Sequence, residues 1–173
     1  MYQALRTDKR RNLAIMPAVA DLKSFVAKLN KAADPSKMQK ASTMLKADRF
    51  QLFSEITPEH VVGVVKSQTD ADLVYSCRLA SGGSYACCTQ NLNVCGGLRG
   101  SLCKHLLVLL VGLVQGGDLD AQTAERWVVS AQKKKPVLDK DVMSEIFIRY
   151  KGAQAGEIDW RPTETIPEDY YAL

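Results

Sequence analysis

Histidine is scarce in this chain: two residues in 173, His60 and His105. Cysteine is limited to five and tryptophan to two. No apolar run approaches the ~20 residues that a membrane-spanning helix needs. The longest, Leu106 to Val114, is interrupted by Gly112. A helical membrane protein is thereby excluded. The basic residues of the first segment are not followed directly by an apolar signal core, so a reducing, cytoplasmic setting is expected. An odd number of cysteines in that setting argues against a disulfide framework. No internal repeat is evident. The net charge of +4, with 46% hydrophobic and 24% charged residues, is that of an ordinary soluble protein with one sizeable core. It permits nucleic-acid contact without demanding it.

The scarce residues are not scattered. Cys87, Cys88, Cys95, Cys103 and His105 all fall between positions 87 and 105, and only Cys77 and His60 lie outside. Structural zinc takes four ligands in a tetrahedron, drawn from thiolate and imidazole. Cys103 and His105 form a Cys-x-His pair that one metal can engage. Cys95-Gly96-Gly97 places a thiol on a tight turn, where glycine avoids a Cβ clash. The remaining ligand is Cys87 or Cys88. Neighbouring side chains on a strand face opposite ways, so Tyr85 and Cys87 share one face and Ala86 and Cys88 the other. Only one of the two thiols is expected at the metal, and Cys87 is preferred. Cys77 lies on an earlier strand and reads as a core residue.

Other chemistry fits less well. Cys103 and His105 are too close in sequence for a usual nucleophile–base pair, and no third orienting residue can be named. Catalytic zinc keeps an open position, whereas four good donors suggest a closed site. Asn91, Asn93 and Arg99 are poor candidates for a general acid or base. An enzyme is not expected.

The run Leu102-Cys103-Lys104-His105-Leu106-Leu107-Val108-Leu109-Leu110 resembles the second half of a SWIM zinc finger. In that family Cys-x-Cys and a spacer precede Cys-x-His on the first turn of an apolar helix. The lead-in is similar as well, with alternating strands, a Gly82-Gly83 turn and an aromatic residue two positions before a cysteine. The first half departs: Cys87 and Cys88 are adjacent, Thr89 stands where the second ligand would be, and Cys95 could replace it from the loop. The resemblance covers roughly residues 50 to 115. It implies a zinc cofactor and an adaptor or recognition role, with an AAA+ ATPase or a von Willebrand A protein as candidate partners. It also implies a link to DNA through transposase and recombination proteins.

The rest of the chain predicts an α+β fold. Leu22, Phe25, Val26 and Leu29 repeat at helical spacing within residues 17–30. Asp34-Pro35 supplies a cap and first position for a second helix with Met38, Ala41 and Leu45 on one side. These make a basic helical hairpin, residues 1–47, whose other face carries Lys23, Lys28, Lys31, Lys37, Lys40 and Lys46. Residues 48–116 form a zinc-binding β-β-α unit: three or four short antiparallel strands, the metal loop and a buried helix. In the first strand Phe50, Leu52, Ser54 and Ile56 alternate against Arg49, Gln51, Phe53 and Glu55. Gly116-Gly117 ends the buried helix. Residues 117–151 hold further helices, one opening at Asp120 or Thr123 and carrying Ala124, Trp127, Val128 and Ala131. The other follows Asp139 and turns inward either Val142, Ile146 and Tyr150 or Met143 and Phe147. From about Gly152 the periodicity ends, and residues 152–173 read first as a disordered acidic tail; its aromatic residues suggest a segment that docks on the basic face or on a partner. The expected function is a zinc-stabilised protein-interaction module within a larger complex. The alternative is a nucleic-acid-binding zinc finger using Arg6, Lys9, Arg10, Arg11, the lysine face, Arg99 and Lys104.

Overall fold

The computed structural model describes residues 19–47 and 50–157. Arg6, Lys9, Arg10 and Arg11, and the acidic aromatic segment from Ile158 onward, lie outside them. The fold is α+β: among the described residues it has five α-helices and one four-stranded antiparallel sheet.

The helical spacing near the start gives α1, Val19–Ala32, with Phe25 and Leu29 buried and Leu22 and Val26 half-buried. Helix α2, Pro35–Lys46, opens as its sequence dictates. The Asp34 carboxylate accepts the backbone N–H of Ser36 at 2.8 Å and of Lys37 at 3.3 Å, satisfying donors that the helix start leaves unpaired. Its buried stripe is Met38, Ala41 and Met44. The expected Leu45 is only half-buried, because the helix meets its neighbour along an i, i+3 row.

Four strands follow in a meander: β1 Gln51–Ile56, β2 His60–Lys66, β3 Val74–Ala80 and β4 Tyr85–Thr89, paired in chain order. Both faces of the sheet are covered, so β2 reads as an unbroken apolar run rather than an alternation. Val61, Val65, Cys77, Leu79, Tyr85 and Cys87 face α3, Lys104–Gly116. Val62, Val64, Ala86 and Cys88 face α5, Lys140–Glu157. In β1 the register shifts between Gln51 and Phe53, and Leu52 is left exposed. The shift breaks the alternation expected for this strand: Phe50 and Ile56 pack in the layer of α3 and Phe53 in that of α5.

Helix α3 is apolar nearly all round because the sheet lies on one side and α2 on the other. Gly117 ends it in the left-handed region at φ 80°, its N–H reaching the carbonyls of Leu113 and Val114. Helix α4, Ala121–Ala131, is capped by Asp120 and packs on α1, with Lys28 paired to Glu125 at 2.6 Å. Ala124, Trp127, Val128 and Ala131 are all buried. In α5, Met143, Ile146 and Phe147 meet the sheet, so the two faces considered for this helix merge into one. The helix also continues past Gly152 to Glu157, correcting the boundary placed there. Residues 151–155 are exposed helix, which leaves no apolar period to read.

A close approach of layers lies at Gly63 on β2. A Cβ there would sit 2.5 Å from Leu109 Cδ1 and 2.8 Å from the Phe53 carbonyl oxygen. Gly63→Ala is therefore expected to destabilise the fold by about 1–3 kcal/mol through overpacking. Denaturant unfolding with an unchanged midpoint would contradict this packing.

Candidate metal centre

The chain returns on itself after β4. Thr89 begins a turn through Leu92, which adopts φ 60°, and Val94 then bridges to Cys88. The Cys95 N–H donates to the Cys87 carbonyl at 3.0 Å, which sets the two thiols side by side. A single tight turn, Gly96–Leu98, carries the chain onward. A Cβ at Gly97 would lie 3.1 Å from Cys103 Cβ and 3.5 Å from Cys95 Sγ, so glycine lets the loop close on the cysteines. Gly96 has open space around it, and neither glycine has positive φ. Cys103 occupies the N-cap of α3 and His105 lies in its first turn. The positive end of the helix there favours thiolate.

These placements bring Cys87, Cys95, Cys103 and His105 together in the core, with ligand atoms all within 4.8 Å of one another. His105 Nδ1 is 3.5 Å from Cys95 Sγ and 3.9 Å from Cys87 Sγ. A tetrahedral ion with ordinary zinc–sulfur and zinc–nitrogen bonds separates its ligands by about 3.6 Å for nitrogen to sulfur and about 3.8 Å for sulfur to sulfur. The donor set therefore fits a metal ion with little adjustment. His105 supports the same conclusion. It is buried, and its Nδ1 faces only sulfur; its Nε2 has no hydrogen-bond partner among the described residues, and a metal on Nδ1 would leave that atom as it is. Such an imidazole is poorly satisfied by protein alone.

The ring is held by stacking. Tyr75 lies over it with centroids 3.8 Å apart and planes within 17°. Sequence reasoning missed Tyr75, although strand parity contained the signal. Tyr75 and Cys77 are two apart on β3, and they pair across with Thr89 and Cys87 on β4. Burial raises the Tyr75 hydroxyl above its ordinary pKa, and negative charge on Cys95 adds to the rise.

The sulfurs do not share one protonation state. Burial pushes the Cys87 and Cys103 thiols well up. Cys95 goes down because the Cys103 and Cys87 thiols donate to it, helped by His105 and the Gly97 N–H. One thiolate held by two thiols is a site in which a cation can replace two protons.

The other candidates fall elsewhere. Cys88 lies on the opposite face of β4, beside Ser76 at 3.3 Å and within the layer under α5. The strand parity that divides Cys87 from Cys88 is thus the one expected. Cys77 is fully buried with its Sγ 3.7 Å from that of Cys87, next to the four donors but outside their group. Of the lysine face, Lys28 pairs with Glu125, and Lys37 donates to the Arg99 carbonyl and the Ser101 hydroxyl. Among the described residues no helix is long and apolar enough to cross a membrane. No family model matches the chain, and no curated protein or solved structure shows significant similarity to it.

Two outcomes are expected. Cys87→Ser, Cys103→Ser or His105→Ala should abolish stoichiometric metal binding, whereas Cys88→Ser should leave it intact, as elemental analysis of each variant would show. Metal uptake should also release about two protons, from Cys87 and Cys103, so affinity should rise about a hundredfold per pH unit near neutrality. Calorimetry in buffers of different protonation enthalpy measures this. A release near zero would mean that the thiols are not the ligands.

Proposed function

We propose that this chain is a zinc-stabilised protein-interaction module, a non-catalytic subunit of a larger assembly. The observation that carries the reading is the enclosure of the donor set. Cys87, Cys95, Cys103 and His105 are 1%, 6%, 0% and 3% exposed, so an ion held by all four would have no position open to substrate. A closed tetrahedral site supplies folding free energy rather than Lewis-acid chemistry, with apparent zinc affinities of about 10–16 kcal/mol in small fingers. The three donor-bearing segments are β4, the loop after it and the start of α3. Zinc bound there would fix the central helix to the sheet.

The Cys-x-His pair on the first turn of an apolar helix is the feature shared with SWIM fingers, and it supports an adaptor role. Nucleic-acid binding is the second reading. It is disfavoured because Lys28 and Lys37 already serve internal contacts. Phosphate binding would show as affinity falling steeply with salt.

The test is metal content of protein purified without added metal, followed by chelation. About one zinc per chain is expected. Its removal should lower the melting temperature by about 10 °C or more, at roughly 2–4 °C per kcal/mol for a chain of this size. Metal-free protein that melts at the same temperature with or without added zinc would sink the proposal. Tight, salt-dependent capture of oligonucleotides would instead favour the second reading.

A further inference from the structure

Beside the metal loop runs an open groove of about 670 Å³. Its floor is apolar, formed by Val94, Leu98 and Pro136, and its rim carries Arg99, Lys134 and Lys135. Val94 is 56% exposed, unusual for a valine on a loop that folds into the core. Among the described residues none of the three cations has an ion-pair partner. Beyond Tyr85 and Gly100 the surface opens into a second cavity of about 190 Å³, walled by Leu29, Leu102 and Val128. That is room for one aromatic side chain. An apolar slot, an aromatic-sized hole and three cations with no ion pair among the described residues suit one kind of ligand: an extended peptide carrying adjacent carboxylates and aromatic rings.

We infer that the groove is the docking site of this chain's own residues 167–171, Pro167-Glu168-Asp169-Tyr170-Tyr171. Charge is one argument. Residues 158–173 hold Asp159, Glu164, Glu168 and Asp169 against Arg161 alone, and the acidic pair abuts the two tyrosines. Length is the other. Helix α5 starts near the groove, where Leu138 and Pro136 adjoin Ala86 and Cys87 of β4. It crosses the sheet and ends near β1, where Tyr150 meets Phe53. Its 18 residues carry the chain about 27 Å away at 1.5 Å each. An extended return at about 3.3 Å per residue takes about eight residues. Counted from Ile158, that brings the chain back to the groove at Ile166, immediately before the acidic aromatic group. Tethering supplies an effective concentration on the order of millimolar, so even a weak contact is populated.

The docked segment covers Val94 and sets its carboxylates against Arg99, Lys134 and Lys135. Its tyrosines reach the hole beside Tyr85. The inference extends the interaction-module reading by naming the surface the module uses. The two fail separately, because metal content tests one and solvent exchange the other.

Hydrogen exchange on the full chain decides it. In the unmodified protein, amides at 96–100 and 133–135 are protected. In Glu168→Lys/Asp169→Lys they exchange about tenfold faster, with zinc content unchanged. Adding Lys134→Glu/Lys135→Glu to that variant restores protection by reversing both charges. Equal exchange in the unmodified and Glu168→Lys/Asp169→Lys proteins overturns the inference. Protection that grows with protein concentration also overturns it, by assigning the groove to a second copy.

Discussion

Three sulfurs and an imidazole sharing one small volume of the core is the constraint around which the other contacts are arranged. A buried thiolate and a buried imidazole without a cation are poor core material, since a buried charge is costly until it is compensated. The fold nevertheless concentrates them where the sheet, the return loop and the central helix meet. The loop turns at Leu92 so that Cys95 can reach Cys87. Gly97 is glycine because Cys103 is close. Tyr75 spends its ring on His105 rather than on an aliphatic neighbour. These local choices agree with one another, and a single bound ion would explain them all.

The two faces of the sheet have different chemistry. On the inner face the metal group is continuous with residues from α1, α2, α3 and α4. On the outer face Cys88, Ala86, Val62 and Val64 pack against Met143, Ile146 and Phe147. Adjacent cysteines on β4 therefore have different surroundings. One faces three other donors, and the other faces a serine and a conventional aliphatic layer.

Much of this was legible in the sequence because the signals are local. Asp34-Pro35 and Gly116-Gly117 mark helix ends through their own backbone chemistry, and Phe25 and Leu29 mark a buried face by spacing. The metal candidates were legible by proximity alone. Which of Cys87 and Cys88 joins the group depends on which face α3 covers, a tertiary fact. The nearness of Cys77 to Cys87 depends on strand register, which no single strand contains. The bulge that exposes Leu52 has no residue signal of its own. The last turns of α5 carry no apolar period because residues 151–155 are exposed, while Lys151, Ala153, Gln154 and Ala155 retain good intrinsic helix propensity.

The donor set is compact along the chain as well as in space. Cys87 and His105 are only 18 positions apart, and the first turn of α3 closes when the Leu107 N–H reaches the Cys103 carbonyl. Strand pairs in the meander join consecutive segments, whereas Lys28 to Glu125 and Glu55 to Arg149 span 97 and 94 positions. Short loops close at lower entropic cost and sooner than long ones. During synthesis every donor is therefore present before α4 and α5 have been made. A metal ion can be captured by the emerging chain, and the distant helices then close over a centre already assembled.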